Sequence, residues 1–370
     1  MPNKKKQHFV PKFLLKNFSV GEDRKSIGVW VLETNIYIPN ASINHQACAD
    51  YFYGKGLEVE SAFETIENHV APLFKRIILN NYLPERFSEE HVGLIGFVVS
   101  LSLRTETQAD SVNEHADAIF KTAFRNDPRV KEELLKIKSS NAPAIALGSL
   151  DKCVIVSLDL DYKLLVNKTK HKFITSDNPV IKYNPFYGYR NTLRGHSGFA
   201  SIGLQLFLCV DPNSCLLIFD RNIYRVGTKK QTTIELNDVK DVDSINALQY
   251  LNAYKTVYFN NEVPEIYIRN IADREKIHRR KLKPEIAEYY AVGNKPESEQ
   301  SIMQLRQSII KRDISLSFVR VLKKAKKTTD IHPGALAIRK PELVQFLTED
   351  GATLPPWLNK IPKIYRSNNK

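Results

Sequence analysis

The chain has 370 residues, and 54 Lys and Arg against 41 Asp and Glu give it a net charge of +13. Hydrophobic residues at 42% and aromatics at 10% supply a substantial core, which excludes disorder by composition and leaves room for two domains. The longest apolar run, Val92 to Leu103, is interrupted by Gly93, Gly96, Ser100 and Ser102 and falls short of the roughly 20 residues that cross a bilayer.

Lys4, Lys5 and Lys6 are followed by His8, Pro11 and Lys12 rather than by an apolar leader core. Cys48, Cys153, Cys209 and Cys215 form neither a disulfide framework nor a zinc-ligand spacing. The expectation is a reduced, cytoplasmic setting without membrane association.

In chain order, Phe9, Val10, Phe13, Leu14 and Phe18 recur at near-helical spacing and predict a short helix ending near Asn17. Ser26 to Leu32 alternates as a strand. From Leu57 to Leu79, Val59, Phe63, Ile66, Val70, Leu73, Phe74 and Ile77 mark one buried stripe of a long helix, with a kink expected at Pro72. Ser88 followed by Glu89 and Glu90 predicts an N-cap opening a second long helix through Arg104 toward Phe124. A shorter helix is expected from Asp127 through Leu134.

The middle of the chain reads as strands at Val154 to Leu160, Lys172 to Thr175, Leu204 to Val210 and Cys215 to Phe219. Helical spacing returns from Val242 to Tyr258, where Asn246 and Asn252, six apart, read as solvated. The pattern predicts an α+β fold: a helical N-terminal third packed with a mostly antiparallel sheet, followed by a basic, mixed C-terminal extension. The boundary is placed at 260, with a core over 1–260 and the extension over 261–370.

That extension carries 22 Lys and Arg against 13 Asp and Glu, nine of the thirteen net positive charges. Its densest stretches contain Arg279 and Arg280, and Lys323 and Lys324. With Tyr289, Tyr290, Phe318 and Tyr365 interleaved, it suits a phosphate backbone met by stacking aromatics. A solvated, solubilising face accounts for the same residues without a ligand.

The segments QHFVPKFLLKNFS (Gln7 to Ser19), LRTET (Leu103 to Thr107) and FITSDNPV (Phe173 to Val180) together make the chain similar to a bacterial family of unknown function, number 4238, over about residues 7–260. It departs from that family's pattern at Leu101, where the pattern carries Gln. The resemblance implies a fold and no activity.

Physical chemistry adds roles for these residues. His8 is a candidate general base or metal ligand. Asp177 is placed to orient it or to bind metal, while Ser176 and Asn178 are donors for a phosphate or oxyanion; the alternative is an Asx turn before Pro179. Glu60, Glu64 and Glu67 share one side of their helix, with Glu60 nearest its positive end. A divalent cation, Mg²⁺ or Mn²⁺, held by Asp177 and Glu60 would make phosphodiester hydrolysis credible. Arg104 is a phosphate clamp or a structural ion-pair partner.

There is no nucleotide-binding loop, nucleophile elbow or HExxH zinc signature. The expectation is a nucleic-acid-binding protein, acting as a nuclease on RNA or single-stranded DNA with His8, Asp177, Glu60 and Arg104 in its catalytic centre, in a setting such as antiviral defence. The alternative is a non-enzymatic module that docks an acidic protein partner.

Overall fold

The computed structural model describes residues 5–123, 142–188, 198–279, 285–290, 301–306, 310, 312–326, 338–340 and 342. The N-terminal part runs β1 (Lys6–His8), α1 (Lys12–Lys16), β2 (Ser19–Val20), β3 (Ser26–Val31), β4 (Ile36–Ser42), β5 (Cys48–Asp50), α2 (Glu58–Asn80), α3 (Glu89–Leu103), α4 (Glu106–Ala123), α5 (Ala142–Leu147) and α6 (Leu150–Ser157). There follow β6 (Asp161–Asn167), β7 (Thr175–Ser176), β8 (Ile181–Tyr183), α7 (Pro185–Gly188), β9 (Gln205–Asp211), β10 (Ser214–Phe219), β11 (Tyr224–Val226), β12 (Thr233–Leu236), α8 (Val239–Asn252) and β13 (Thr256–Phe259). The last part holds α9 (Glu265–Glu275), β14 (Glu285–Tyr290), β15 (Ser301–Arg306), β16 (Val319–Val321) and α10 (Lys323–Lys326). The architecture is α+β.

The central sheet is ordered β12-β6-β10-β9-β8. Its neighbours are antiparallel except β12 with β6. Every residue of β10 is buried, so the sheet is covered on both faces. The second sheet, β2-β3-β13-β7 with β4 on the other edge of β3, joins the N-terminal segment to the end of the 6–260 region. Gly28 of β3 is required there, because a Cβ would lie 2.3 Å from the Phe259 ring.

Ser88 caps α3 through its Oγ, which accepts from His91 N at 3.2 Å. Buried residues point from α3 in every direction, which makes it an internal helix. The single helix expected to run toward Phe124 breaks at Arg104 (φ −96°, ψ 10°). A new helix starts as Thr105 C=O accepts from Gln108 N and Ala109 N. This break sends Arg104 and Thr105 to different partners. The helix expected over 127–134 lies outside the described residues. α2 continues through Pro72, whose ring removes one N–H donor.

Two other readings are corrected. Val154 to Ser157, read as the start of a strand, is the end of α6, and the strand begins only at Asp161. The β-branched run is overridden by packing on α3, where Val156 is buried. The helix expected through Tyr258 ends at Asn252; Ala253 turns extended (φ −59°, ψ 143°), and Thr256–Phe259 become β13.

Beyond residue 260, Ile268, Ile271, Ile310, Leu316 and Ala325 join the same apolar core as residues 9–259. β16 pairs with β11. Arg312 and Arg339 of this region end in ion pairs, with Glu275 at 3.0 Å and with Asp159 at 2.8 Å. No helix among the described residues is long and apolar enough to cross a membrane.

Candidate functional site

Arg104 follows a mostly buried helix and is itself only 1% exposed. Its position at the C-terminal end of α3 suits a cation, because unpaired carbonyls make that end negative. Nη1 meets Glu67 Oε1 at 2.9 Å, and Cζ lies 4.6 Å from the centre of the Phe63 ring. Among the described residues Nε and Nη2 are buried without a partner. Those two nitrogens form the guanidinium edge that grips a carboxylate or phosphate with two parallel bonds.

Tyr53 completes this corner. Its hydroxyl donates to His8 C=O at 3.5 Å. Burial pushes its pKa well above the ordinary value, with Arg104 opposing the shift and Glu60 and Glu67 adding to it. Gln7 fixes the loop, accepting from Tyr53 N at 2.6 Å and donating to Gly54 C=O at 3.1 Å. Sequence reasoning offered Glu60 or Asp177 as the ion-pair partner of Arg104, and the structure places Glu67 there instead; Tyr53, in a loop with no periodic signal, was missed.

The Ser176–Asn178 turn faces the other side of the α3–α4 break. Thr105 Oγ1 donates to Asn178 Oδ1 at 3.4 Å. Asn178 N donates to Ser176 Oγ at 3.0 Å, the local turn bond the sequence allowed. Asp177 does not touch His8: its carboxylate accepts from the N–H groups of Tyr254, Lys255 and Thr256 at 2.8, 2.6 and 3.0 Å. The expected pairing of Asp177 with His8 is therefore not formed, because those oxygens secure the α8–β13 loop. Burial raises the Asp177 pKa to about 6 against the pull of the three N–H groups.

His8 sits opposite Cys48 in the β1–β5 pair. Desolvation first, then nearby Lys12, lowers its pKa to about 4, and its Nε2 is buried without a partner among the described residues. It is a neutral imidazole at pH 7. Among the described residues no group of three or more His, Cys, Asp and Glu is placed to hold a metal ion.

α8 holds the turn with three amides, two of which, Asn246 and Asn252, the sequence reading had assigned to solvent. Asn246 Nδ2 donates to Lys172 C=O at 2.8 Å, and its Oδ1 accepts from Ile174 N at 3.1 Å. Gln249 Nε2 donates to Ser176 Oγ at 2.6 Å, and Asn252 Nδ2 to the carbonyls of Asn178 and Val180 at 2.6 and 3.0 Å. Steps of three residues rotate by about 60° short of a turn, which suits an extended segment crossing the helix obliquely. The missed signal was that α8 has no polar face, so its amides had to be internal.

The basic residues divide. Arg279 Nη2 donates to the carbonyls of Ala253 and Tyr254 at 3.3 and 3.1 Å, capping the end of α8 rather than facing solvent. Arg280 lies outside the described residues. Lys323 and Lys324 are exposed on α10, immediately after β16. In the β11–β16 ribbon Arg225 and Arg320 are directly opposite, both exposed, while Tyr224 and Val226 alternate to the buried face. Two arginine side chains thus leave the outer face from paired positions, Arg225 with its Nε donating to Gly227 C=O at 3.4 Å.

The sequence profile of a family described as protein of unknown function (DUF4238) matches residues 6–263. No curated protein and no solved structure matches the chain.

Proposed function

The chain belongs to the DUF4238 family, whose description assigns no chemistry, and from that starting point we propose that it binds nucleic acid, as RNA or exposed single strands, in a cytoplasmic setting. The observation that carries this reading is the register pairing of Arg225 with Arg320. Like charges directly opposite on one face of a strand pair destabilise it, and a phosphate lying across both removes that repulsion. Lys323 and Lys324 extend the same positive field.

The test is binding to labelled RNA, single-stranded DNA and duplex DNA as salt is raised. The reading expects affinity that falls steeply with salt and a shallower salt dependence for Arg225→Gln with Arg320→Gln. Absence of binding would overturn it and turn attention to an acidic protein partner for this face.

A second reading, phosphodiester cleavage, is favoured by Nε and Nη2 of buried Arg104, which have no partner among the described residues. In it Arg104 stabilises negative charge on the non-bridging phosphoryl oxygens, and neutral His8 accepts the proton of the attacking hydroxyl. Glu60 is the remaining carboxylate for Mg²⁺ or Mn²⁺, since the oxygens of Asp177 are taken by backbone N–H groups. Cleavage of labelled RNA with metal, lost with chelator and in folded Arg104→Lys, is the expected result. Cleavage that survives Arg104→Lys would refute this reading.

A further inference from the structure

A cavity of about 340 Å³ opens between the β8–β9 edge of the central sheet and the segment 314–321, lined by Tyr183, Phe186, Gln205, Tyr224, Leu316 and Val319 among others. Its volume falls within the ordinary range for small-molecule sites. All its described lining residues are uncharged, so a buried phosphate or carboxylate would lose its hydration without compensation.

Within this apolar wall stands one carboxamide. Gln205, the first residue of β9, is 1% exposed, and its register partner on β8 is Tyr183. Among the described residues its Oε1 is buried without a partner and its Nε2 makes no hydrogen bond. A buried amide is ordinarily satisfied; this residue lies in the wall of the cavity, and its carboxamide carries an acceptor and a donor side by side.

The walls are held in place independently of any ligand. Tyr224 OH donates to Gly203 C=O at 2.9 Å and accepts from Phe186 N at 3.2 Å. Gly203 has φ +76°, and a Cβ there would lie 2.7 Å from Phe186 Cβ, so only glycine permits this approach. Tyr183 OH donates to Arg312 C=O and accepts from Ile314 N, each at 3.0 Å, which fixes the segment forming the opposite wall.

We propose that this cavity binds an unstacked nucleobase, read along one edge by the Gln205 carboxamide and packed among the rings of Tyr183, Phe186 and Tyr224. Every nucleobase presents neighbouring donor and acceptor atoms, and glutamine is a standard partner for such an edge. The base is uncharged, as the lining requires, and a phosphate attached to it would remain outside. This site stands on observations separate from the outer face of the β11–β16 ribbon: backbone binding does not need it, nor does it need backbone binding.

The test is calorimetric titration of the whole protein with adenosine, cytidine, guanosine and uridine. At least one is expected to bind, with affinity falling tenfold or more in Gln205→Met. Ser315→Trp, at an exposed position lining the same cavity, should block binding without disturbing the core. Arg225→Gln with Arg320→Gln should leave it unchanged. Displacement of the bound nucleoside by a single-stranded oligonucleotide would assign the base to a strand, and its failure to a free nucleoside, both in support.

No binding by any of the four, or unchanged affinity in folded Gln205→Met, overturns the proposal. Salt-sensitive strand binding without nucleoside binding would leave the ribbon reading standing and this one refuted.

Discussion

Glu67 and Arg104 meet at 2.9 Å across the α2–α3 interface, but they are unequally buried: the side chain of Arg104 is 1% exposed and that of Glu67 is 23%. The asymmetry determines which partner the fold can lose. Glu67→Gln strands a cation in the core and should cost about 3–5 kcal/mol. Arg104→Met leaves a carboxylate that water can reach and should cost about 1–3 kcal/mol. Urea unfolding of the two variants checks the order, and a larger loss in Arg104→Met would contradict it.

The outer pair of the β11–β16 ribbon should set stability against binding. Arg320→Gln relieves the repulsion from Arg225 and is expected to raise stability by about 0.2–1 kcal/mol. The same change should weaken oligonucleotide binding and flatten its salt dependence. Unfolding and binding measured on one preparation test both halves, and a variant that is less stable and binds equally well would refute the link.

Stability against pH should show two opposed contributions. The Asp177 carboxyl is raised to about 6 by burial, so its contribution is complete below its ordinary value of 3.8 and is lost as pH rises through 6, about 3 kcal/mol in all. His8 and His91 are lowered to about 4 and about 3, chiefly by desolvation. Their contributions are complete above the ordinary 6.5 and are lost as pH falls through those values. Asp177→Asn should therefore steepen the loss of stability between pH 6 and pH 4, and His91→Phe should flatten it. Urea midpoints at four pH values measure the slopes; an unchanged slope in Asp177→Asn would count against the raised carboxyl.

Asp159 has Arg339 as its main partner. Nε and Nη2 of Arg339 reach Asp159 at 3.2 and 2.8 Å, and its Nη1 donates to Ser201 C=O at 2.9 Å. Arg339→Gln should cost about 3–5 kcal/mol by leaving a buried carboxylate. A cycle with Asp159→Asn should show a coupling above about 1 kcal/mol. Additive losses would mean that the two side chains act independently.

The parts of the fold legible in the sequence were those with a local signal. α2 announced itself through the stripe from Phe63 to Ile77, and α3 through its Ser88 cap, because amphipathic periodicity and capping are local. Val154 to Ser157 was misread because a β-branched run looks the same in an internal helix as in a strand. The Arg-Thr and Ser-Asp-Asn-Pro segments were recognisable as special, yet their connection through Thr105 and Asn178 spans 73 positions, and no spacing rule reaches that far. Arg225 against Arg320 and the unpaired amide of Gln205 depend on strand register and burial, which only tertiary structure sets.

The Asp159–Arg339 pair also bears on how the protein is made. The two residues are 180 positions apart, and a ribosome adds about 5–20 residues per second. For on the order of 10–40 s after Asp159 is synthesised, its later partner does not yet exist, and the socket at the end of α6 must stay hydrated. The emerging chain therefore cannot close that part of its interior until residue 339 has been translated and has cleared the exit tunnel, so completion of the core is a late event in biogenesis.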